Sequence, residues 1–164
     1  MRIAVISDTH DSVSATREVL ETIKKEGVGT IIHCGDMSSA FTAELFHDFC
    51  VYHARGNNDL DAIGLKLALQ ECKAGSCSEK WIKCVFDGKL IGALHDMYSP
   101  LFSSMIDSGE FSYIFVGHTH RKMDEMMGTT RVINPGAIGG AYRGPRGFCI
   151  LDLETGEKTD YGLE

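Results

Sequence analysis

Residues 1–54, MRIAVISDTHDSVSATREVLETIKKEGVGTIIHCGDMSSAFTAELFHDFCVYHA, decide the fold. Residues 2–7 (RIAVIS) form a continuous apolar run rich in β-branched residues, the pattern of a strand covered on both faces. A turn at Asp8–Ser14 leads into a helix from Ala15 to Glu26, where Val19, Leu20 and Ile23 fall at helical spacing and Gly27 supplies the stop. Thr30–His33 reads as a second strand. Ser39–Phe49 reads as a second helix with Phe41, Leu45, Phe46 and Phe49 on one packing stripe, and Val51–Ala54 as a third strand. Strand, helix, strand, helix, strand implies a parallel sheet with right-handed crossovers.

Beyond residue 54 the pattern changes. After a short helix at Asp61–Leu69, Trp81–Phe86 and Lys89–Leu94 flank Asp87–Gly88, a dipeptide suited to a tight hairpin. A helix at Pro100–Ser108 and a strand at Tyr113–Val116 come next. Hairpins then pair Lys122–Met127 with Thr130–Ile133 across Gly128, and Gly147–Leu153 with Lys158–Gly162 across Thr155–Gly156. So many strands in 164 residues predict an α/β fold of two mixed β-sheets packed face to face and flanked by helices. The length suits a single domain spanning 1–164. A net charge of −7 argues against an extended nucleic-acid surface, which needs clustered Lys and Arg. No apolar stretch is long enough to cross a bilayer, and the chain enters a strand without a leader-like segment, so a cytoplasmic location is expected. Cys34, Cys50 and Cys149 lie in apolar runs and are expected in the core; the gaps between Cys72, Cys77 and Cys84 do not match a zinc knot.

The informative polar residues lie just past the ends of the predicted strands. Asp8 and His10 come after the first, Gly35–Asp36 after the second, and Gly56–Asn57–Asn58–Asp59 after the third; His95 comes after Leu90–Leu94, and Gly117–His118–Thr119–His120 after Tyr113–Val116. Ligands of open α/β sheets bind outside the carboxyl ends of strands, so these five fragments are expected to converge. Carboxylates, imidazoles and an amide oxygen, without a thiolate, suit divalent Mn, Fe, Co, Ni or Zn. The glycines before Asp36, Asn57 and His118 permit tight turns and close backbone approach.

The ordered series DTH, GD, GNND, a lone His and GHTH resembles the calcineurin-like metallophosphoesterases, and is most similar to the small YfcE-type phosphodiesterases. The resemblance runs from about Ile3 to Asn134–Pro135–Gly136. It implies a four-layer α/β/β/α sandwich and a divalent-metal-dependent phosphoesterase, foremost a phosphodiesterase, in which a metal-bridging hydroxide attacks phosphorus in line. It implies one metal on Asp8, His10 and His120, another on Asn57, His95 and His118, and Asp36 between them. Two divalent ions against two carboxylates leave a surplus of roughly two positive charges, which a phosphate anion requires. Manganese is the foremost occupant, with nickel, iron, cobalt, zinc or magnesium as others, and the substrate is a small phosphoester or nucleotide.

Two positions depart from the family pattern. Asn58 stands where relatives acting on phosphoserine and phosphothreonine usually have His; an amide can hold phosphate but cannot protonate a leaving alkoxide. Asn58 is therefore expected to position the phosphate of a diester, with Asp59 orienting Asn58 or its loop. Asp96 replaces the Gly that commonly comes after the lone His. His33 is expected to be a hydrogen-bonded interior residue, His47 a helix-surface residue, and His53 a strand residue without a role. Arg55, Arg121, Arg143 and Arg146 read as solvated loop charge, with contact to a remote phosphate as the alternative. Rival functions are a phosphomonoesterase or nucleotide pyrophosphatase with the same chemistry, and a protein-binding scaffold like the retromer subunit. Intact donor positions speak against the scaffold; the oligomeric state is left open.

Overall fold

Alternation along the strands fixes the layers. In β1 (Arg2–Ile6) Ala4 and Ile6 join one buried apolar cluster, while Ile3 and Val5 join another. Residues Phe148 and Ile150 of β10 (Gly147–Asp152) fall with the first cluster, and Cys149 and Leu151 with the second. A period of two with both faces buried is the signature of a sheet covered on both sides. The first cluster continues into α1 (Val13–Lys25) through Val19, Leu20 and Ile23, and into α3 (Ala62–Gln70) through Leu65 and Leu69.

The structure, a computed structural model, describes residues 1–140 and 144–163. The remaining elements among them are β2 (Thr30–His33), α2 (Ala40–Glu44), β3 (Cys50–Ala54), β4 (Cys77–Glu79), β5 (Ile82–Phe86), β6 (Lys89–Ala93), α4 (Pro100–Ser108), β7 (Tyr113–Phe115), β8 (Met123–Met127), β9 (Thr130–Asn134) and β11 (Lys158–Gly162). One sheet has the order β11-β10-β1-β2-β3-β4 and the other β5-β6-β7-β9-β8. Both are mixed: β1, β2, β3 and β4 run parallel, as do β6, β7 and β9, while β10 runs antiparallel to β1 and the hairpins β5–β6, β8–β9 and β10–β11 are antiparallel. The layer between the sheets holds Ile3, Val5 and Ile32 with Ile91, Phe115 and Ile133. The outer face of the second sheet, with Ile114 and Val132, packs against Phe102 and Met105 of α4. Helices, sheet, sheet and helix make the four layers, and each fully buried Ile or Phe contributes about 1.5–3 kcal/mol.

Local signals set several boundaries. Ser99 Oγ accepts from Phe102 N–H, Pro100 occupies the first turn of α4, and Gly109 ends it at φ 64°. Asp61 caps α3 by accepting from Gly64 N–H at 2.8 Å. The helix expected over Ser39–Phe49 is instead the short α2. After Glu44 the bonds Leu45 N–H to Thr42, Phe46 N–H to Ala43 and Phe49 N–H to Phe46 close three-residue turns, tightening the chain into β3. This rotates Phe41 outward, 61 % exposed, while Phe46 and Phe49 stay buried. Cys50, expected in the core, is half-buried because it opens β3 at the rim. Strand β4 has no apolar run to announce it and exists by pairing with β3. All six cysteines are free thiols.

Candidate metal centre

Five loops at the carboxyl ends of β1, β2, β3, β6 and β7 meet at one place. Asp8 Oδ1 lies 3.2 Å from His120 Nε2 and 3.6 Å from His10 Nε2, and those two imidazole nitrogens are 3.2 Å apart. Around a second point, His95 Nε2 lies 3.1 Å from Asn57 Oδ1 and 3.2 Å from His118 Nδ1. Asp36 Oδ2 stands between the groups, 3.7 Å from His10 Nε2 and 3.4 Å from His95 Nε2. Donor atoms about 2.0–2.2 Å from a shared cation are separated from one another by about 3.0–3.5 Å. The observed separations lie close to that spacing on both sides.

The surroundings leave lone pairs facing lone pairs. His95 Nδ1 lies 2.8 Å from the Cys34 carbonyl and donates to it, so a neutral ring turns an unprotonated Nε2 toward the oxygen of Asn57. Asp8 Oδ1 is buried and accepts no hydrogen bond, although its partner Oδ2 accepts from Ser7 Oγ and His118 N–H. A cation supplies what these atoms lack, so the residues present fit divalent metals. The Asp8 carboxylate draws the His10 pKa above its ordinary value; burial pushes His95 down, yet Asp36 beside it leaves the pKa raised.

Backbone strain accompanies this geometry. Asp8, His10, Asp36, His118 and His120 all have left-handed backbones, with φ between 45° and 67°. Such conformations cost of order 1–3 kcal/mol each and persist where surrounding structure over-determines them. Asp8 N–H donates to the Gly35 carbonyl and His10 N–H to that of Asp36, tying the first two loops together. Gly56 is required because a Cβ there would collide with the Asp36 carboxylate, and Gly35, at φ 96°, because a Cβ would sit 2.6 Å from His95 Nδ1.

Asp59 braces the anionic side. Its Oδ2 accepts from the backbone N–H groups of Asp36 at 2.9 Å and Gly56 at 2.6 Å, and its Oδ1 from Ser38 N–H at 2.7 Å. Burial pushes its pKa up, but His53 and these backbone donors outweigh it and hold the carboxyl well below the usual range. His53 Nε2 lies 3.2 Å from Asp59 Oδ2 and its Nδ1 2.9 Å from Ser78 Oγ, all buried. His53 thus joins the candidate site through Asp59, although sequence reasoning gave it no role. An apolar-flanked strand residue carries no signal of a partner six positions away across a loop. Asp59 faces loop backbone, and Asn58 is held by Asp36: its N–H donates to Oδ1 at 2.8 Å and its Nδ2 to Oδ2 at 2.7 Å. Burial pushes the Asp36 pKa up, but His95 and Asn58 offset this and bring it to about 2.

The remaining candidates fall outside the donor groups. His33 is buried; Gly35 N–H donates to its Nδ1 and Thr9 Oγ1 lies 3.2 Å from its Nε2. Burial holds its pKa well down, so it braces the first two loops as a neutral ring. His47 is exposed. Asp96 accepts from Tyr98 N–H at 2.8 Å, shaping the turn into α4. Arg146 Nε donates to the Ile138 carbonyl, Arg55 and Arg121 line separate clefts beside His118, and Arg143 lies outside the described residues.

Residues 1–156 match the family model of the calcineurin-like phosphoesterase superfamily domain. The chain belongs to that superfamily. It is 31 % identical, over the full length of both chains, to a phosphodiesterase of Methanocaldococcus jannaschii, MJ0936. A solved structure described as a novel archaeal phosphodiesterase has 31 % identity and superposes with a TM-score of 0.93, covering 99 % of this chain and 100 % of the other. The Escherichia coli phosphoesterase YfcE, 18 % identical with both chains fully covered and a TM-score of 0.69, shares the fold. So does Vps29 of Entamoeba histolytica, solved as a complex with zinc, at 15 % identity, 99 % and 98 % coverage and a TM-score of 0.69.

Proposed function

We propose that residues 1–164 form one domain that hydrolyses small phosphodiesters with two divalent ions. The carrying observation is the placement of Asp36 Oδ2 between two groups of donors, Asp8–His10–His120 and Asn57–His95–His118. These residues hold the metals in this reading, with manganese the foremost occupant. When bound, such cations polarise phosphoryl oxygens and acidify water, so no protein nucleophile is needed. Asp36 joins the two groups, and the Cys34 carbonyl keeps His95 in the tautomer that leaves Nε2 free.

Asn58 uses one amide hydrogen on Asp36 and retains a second, which donates to a phosphate oxygen in this assignment. An amide cannot supply a proton to an alkoxide near neutral pH, which favours leaving groups that depart as anions. His118 borders two clefts, of about 570 and 650 Å³, so a phosphate at the donors has room for a substituent on either side. A diester needs two such spaces and a monoester one.

The scaffold reading draws on Leu60, Ile63 and Leu67, exposed apolar residues at and before α3, but gives no account of a buried Asp8 oxygen that accepts no hydrogen bond and faces two imidazole nitrogens. None of the described helices is long and apolar enough to cross a membrane, and we assign the protein to the cytoplasm. Metal analysis combined with Mn²⁺-dependent turnover of p-nitrophenyl phosphate, its bis ester and cyclic nucleotides tests the proposal. Diester turnover that vanishes on chelation is expected. Turnover that survives exhaustive chelation sinks the dimetal reading, and monoester preference replaces the diester assignment. Asn58→Ala is expected to lower kcat/KM for the bis ester about tenfold; an unchanged value removes its role.

A further inference from the structure

The 650 Å³ cleft beside Asn57, His95 and His118 also carries Arg55, Lys80 and Trp81 on its wall. Strand register brings these three together: Arg55 N–H donates to the Glu79 carbonyl at 2.8 Å, so the chain leaving β4 passes Lys80 and Trp81 alongside the residue just past β3. Trp81 rests part of its ring on the cluster containing Leu94 and Phe102 and lines the cleft with the remainder. A ring already packed loses little freedom when a ligand stacks on it. Arg55 and Lys80 form no ion pair among the described residues, although the chain carries 23 carboxylate side chains against 16 Lys and Arg. Asp96, on the same wall, turns its carboxylate back to Tyr98 N–H.

We infer that this cleft is the subsite for one arm of the diester, and that the arm is a nucleoside bearing a second phosphate. The inference rests on the phosphodiesterase reading and names its substrate class. The base stacks on Trp81, and the remote phosphate meets Arg55 and Lys80. The volume suits a ligand of nucleotide size. A lipid-like arm would leave both cations without a partner, and a simple sugar phosphate would leave the indole unused. Stacking of a base on an aromatic ring tolerates any base, so the subsite selects nucleotides over other alcohols without selecting among bases.

Trp81 is the only tryptophan, so its emission reports on this cleft. Thymidine 3′,5′-bisphosphate titrated into the full-length protein with Mn²⁺ is expected to quench that emission saturably, and Arg55→Gln to weaken the apparent Kd roughly tenfold. Turnover is then compared for three esters sharing one leaving group: methyl p-nitrophenyl phosphate, thymidine 5′-(p-nitrophenyl phosphate) and its 3′-phosphorylated form. In the wild type kcat/KM rises along the series, by roughly tenfold at the nucleoside step. Trp81→Leu, which keeps an apolar side chain against α4, is expected to erase the gain at the nucleoside step, and Arg55→Gln the gain at the 3′-phosphate step. Absence of saturable quenching, equal kcat/KM across the series, or variants that lower all three esters by one common factor overturns the subsite. Saturable quenching with no p-nitrophenolate released from any ester supports the nucleotide cleft and overturns the hydrolase reading instead.

Discussion

The six-stranded sheet brings Asp8, Asp36, Asn57 and one imidazole, His10, to the centre, whereas the five-stranded sheet brings imidazoles alone, His95, His118 and His120. Their supports differ accordingly. On the anionic side a buried carboxylate, Asp59, gathers three backbone N–H groups and the His53 ring. On the imidazole side the supports are mostly neutral: Asn134 Nδ2 donates to the Gly117 carbonyl and to Thr119 Oγ1, and His95 is set by one carbonyl, with the His118 N–H bond to Asp8 Oδ2 as the one carboxylate contact to that loop's backbone. A third buried carboxylate so near Asp36 needs its own charge met by backbone N–H groups and an imidazole, while the donor imidazoles need the correct tautomer and direction.

That contrast can be broken most sharply at the donors. Asp36→Ala removes the atom common to both groups and is expected to lower diester kcat/KM by on the order of 10³ with loss of bound Mn²⁺, the larger loss of the pair when His118→Ala is measured beside it. Equal effects in the metal titration and kinetics would erase the distinction between the sheets. At the supports, Asp59→Asn is expected to lower Mn²⁺ affinity about 10–100-fold by calorimetry and to destabilise the fold by about 2–4 kcal/mol in urea. Asn134→Ala, its counterpart, is expected to cost about 1–2 kcal/mol; a larger cost there than at Asp59 would reverse the ranking.

The smallest effect lies on the second sheet away from the donors, where Arg131 pairs with Asp124 through bonds of 2.8 and 2.9 Å. The Arg131 guanidinium holds the Asp124 pKa below its ordinary 3.8. A depressed carboxyl stabilises the fold above 3.8, and that contribution fades as pH falls through the folded value. Arg131→Gln should therefore lower Tm at pH 7, by the equivalent of less than about 1 kcal/mol from this half-buried pair. The difference should narrow as acid protonates Asp124, leaving only the loss of the bond from Arg131 Nη1 to the Gly156 carbonyl at 2.6 Å. A Tm difference that does not narrow in acid would assign the effect to the Gly156 bond rather than to the ion pair.

Much of this was legible because period and punctuation agreed. The β-branched run of β1, the Asp87–Gly88 turn and the Pro100–Gly109 limits of α4 each combine a local preference with the burial it leads to. Phe41 and β4 were not legible, since the first depends on how sharply the chain turns after Glu44 and the second on pairing with β3. In the candidate site the donor types could be read from the polar residues just past each strand end. Of the supports, Asp59 was legible beside Asn58, but His53 was not, since an apolar-flanked strand position gives no sign of a carboxylate six residues on, and neither was the reach of Asn134 to Gly117 and Thr119.

The left-handed corners under Asp8 and Asp36 also bear on how such a site could change over time. Few side chains tolerate that backbone, and asparagine is among those that do. Exchange of aspartate for asparagine would keep the corner and much of the carboxylate's shape while discarding its negative charge. A lineage could in this way surrender metal affinity one charge at a time with its architecture intact, leaving a rigid surface free for recruitment to unrelated work.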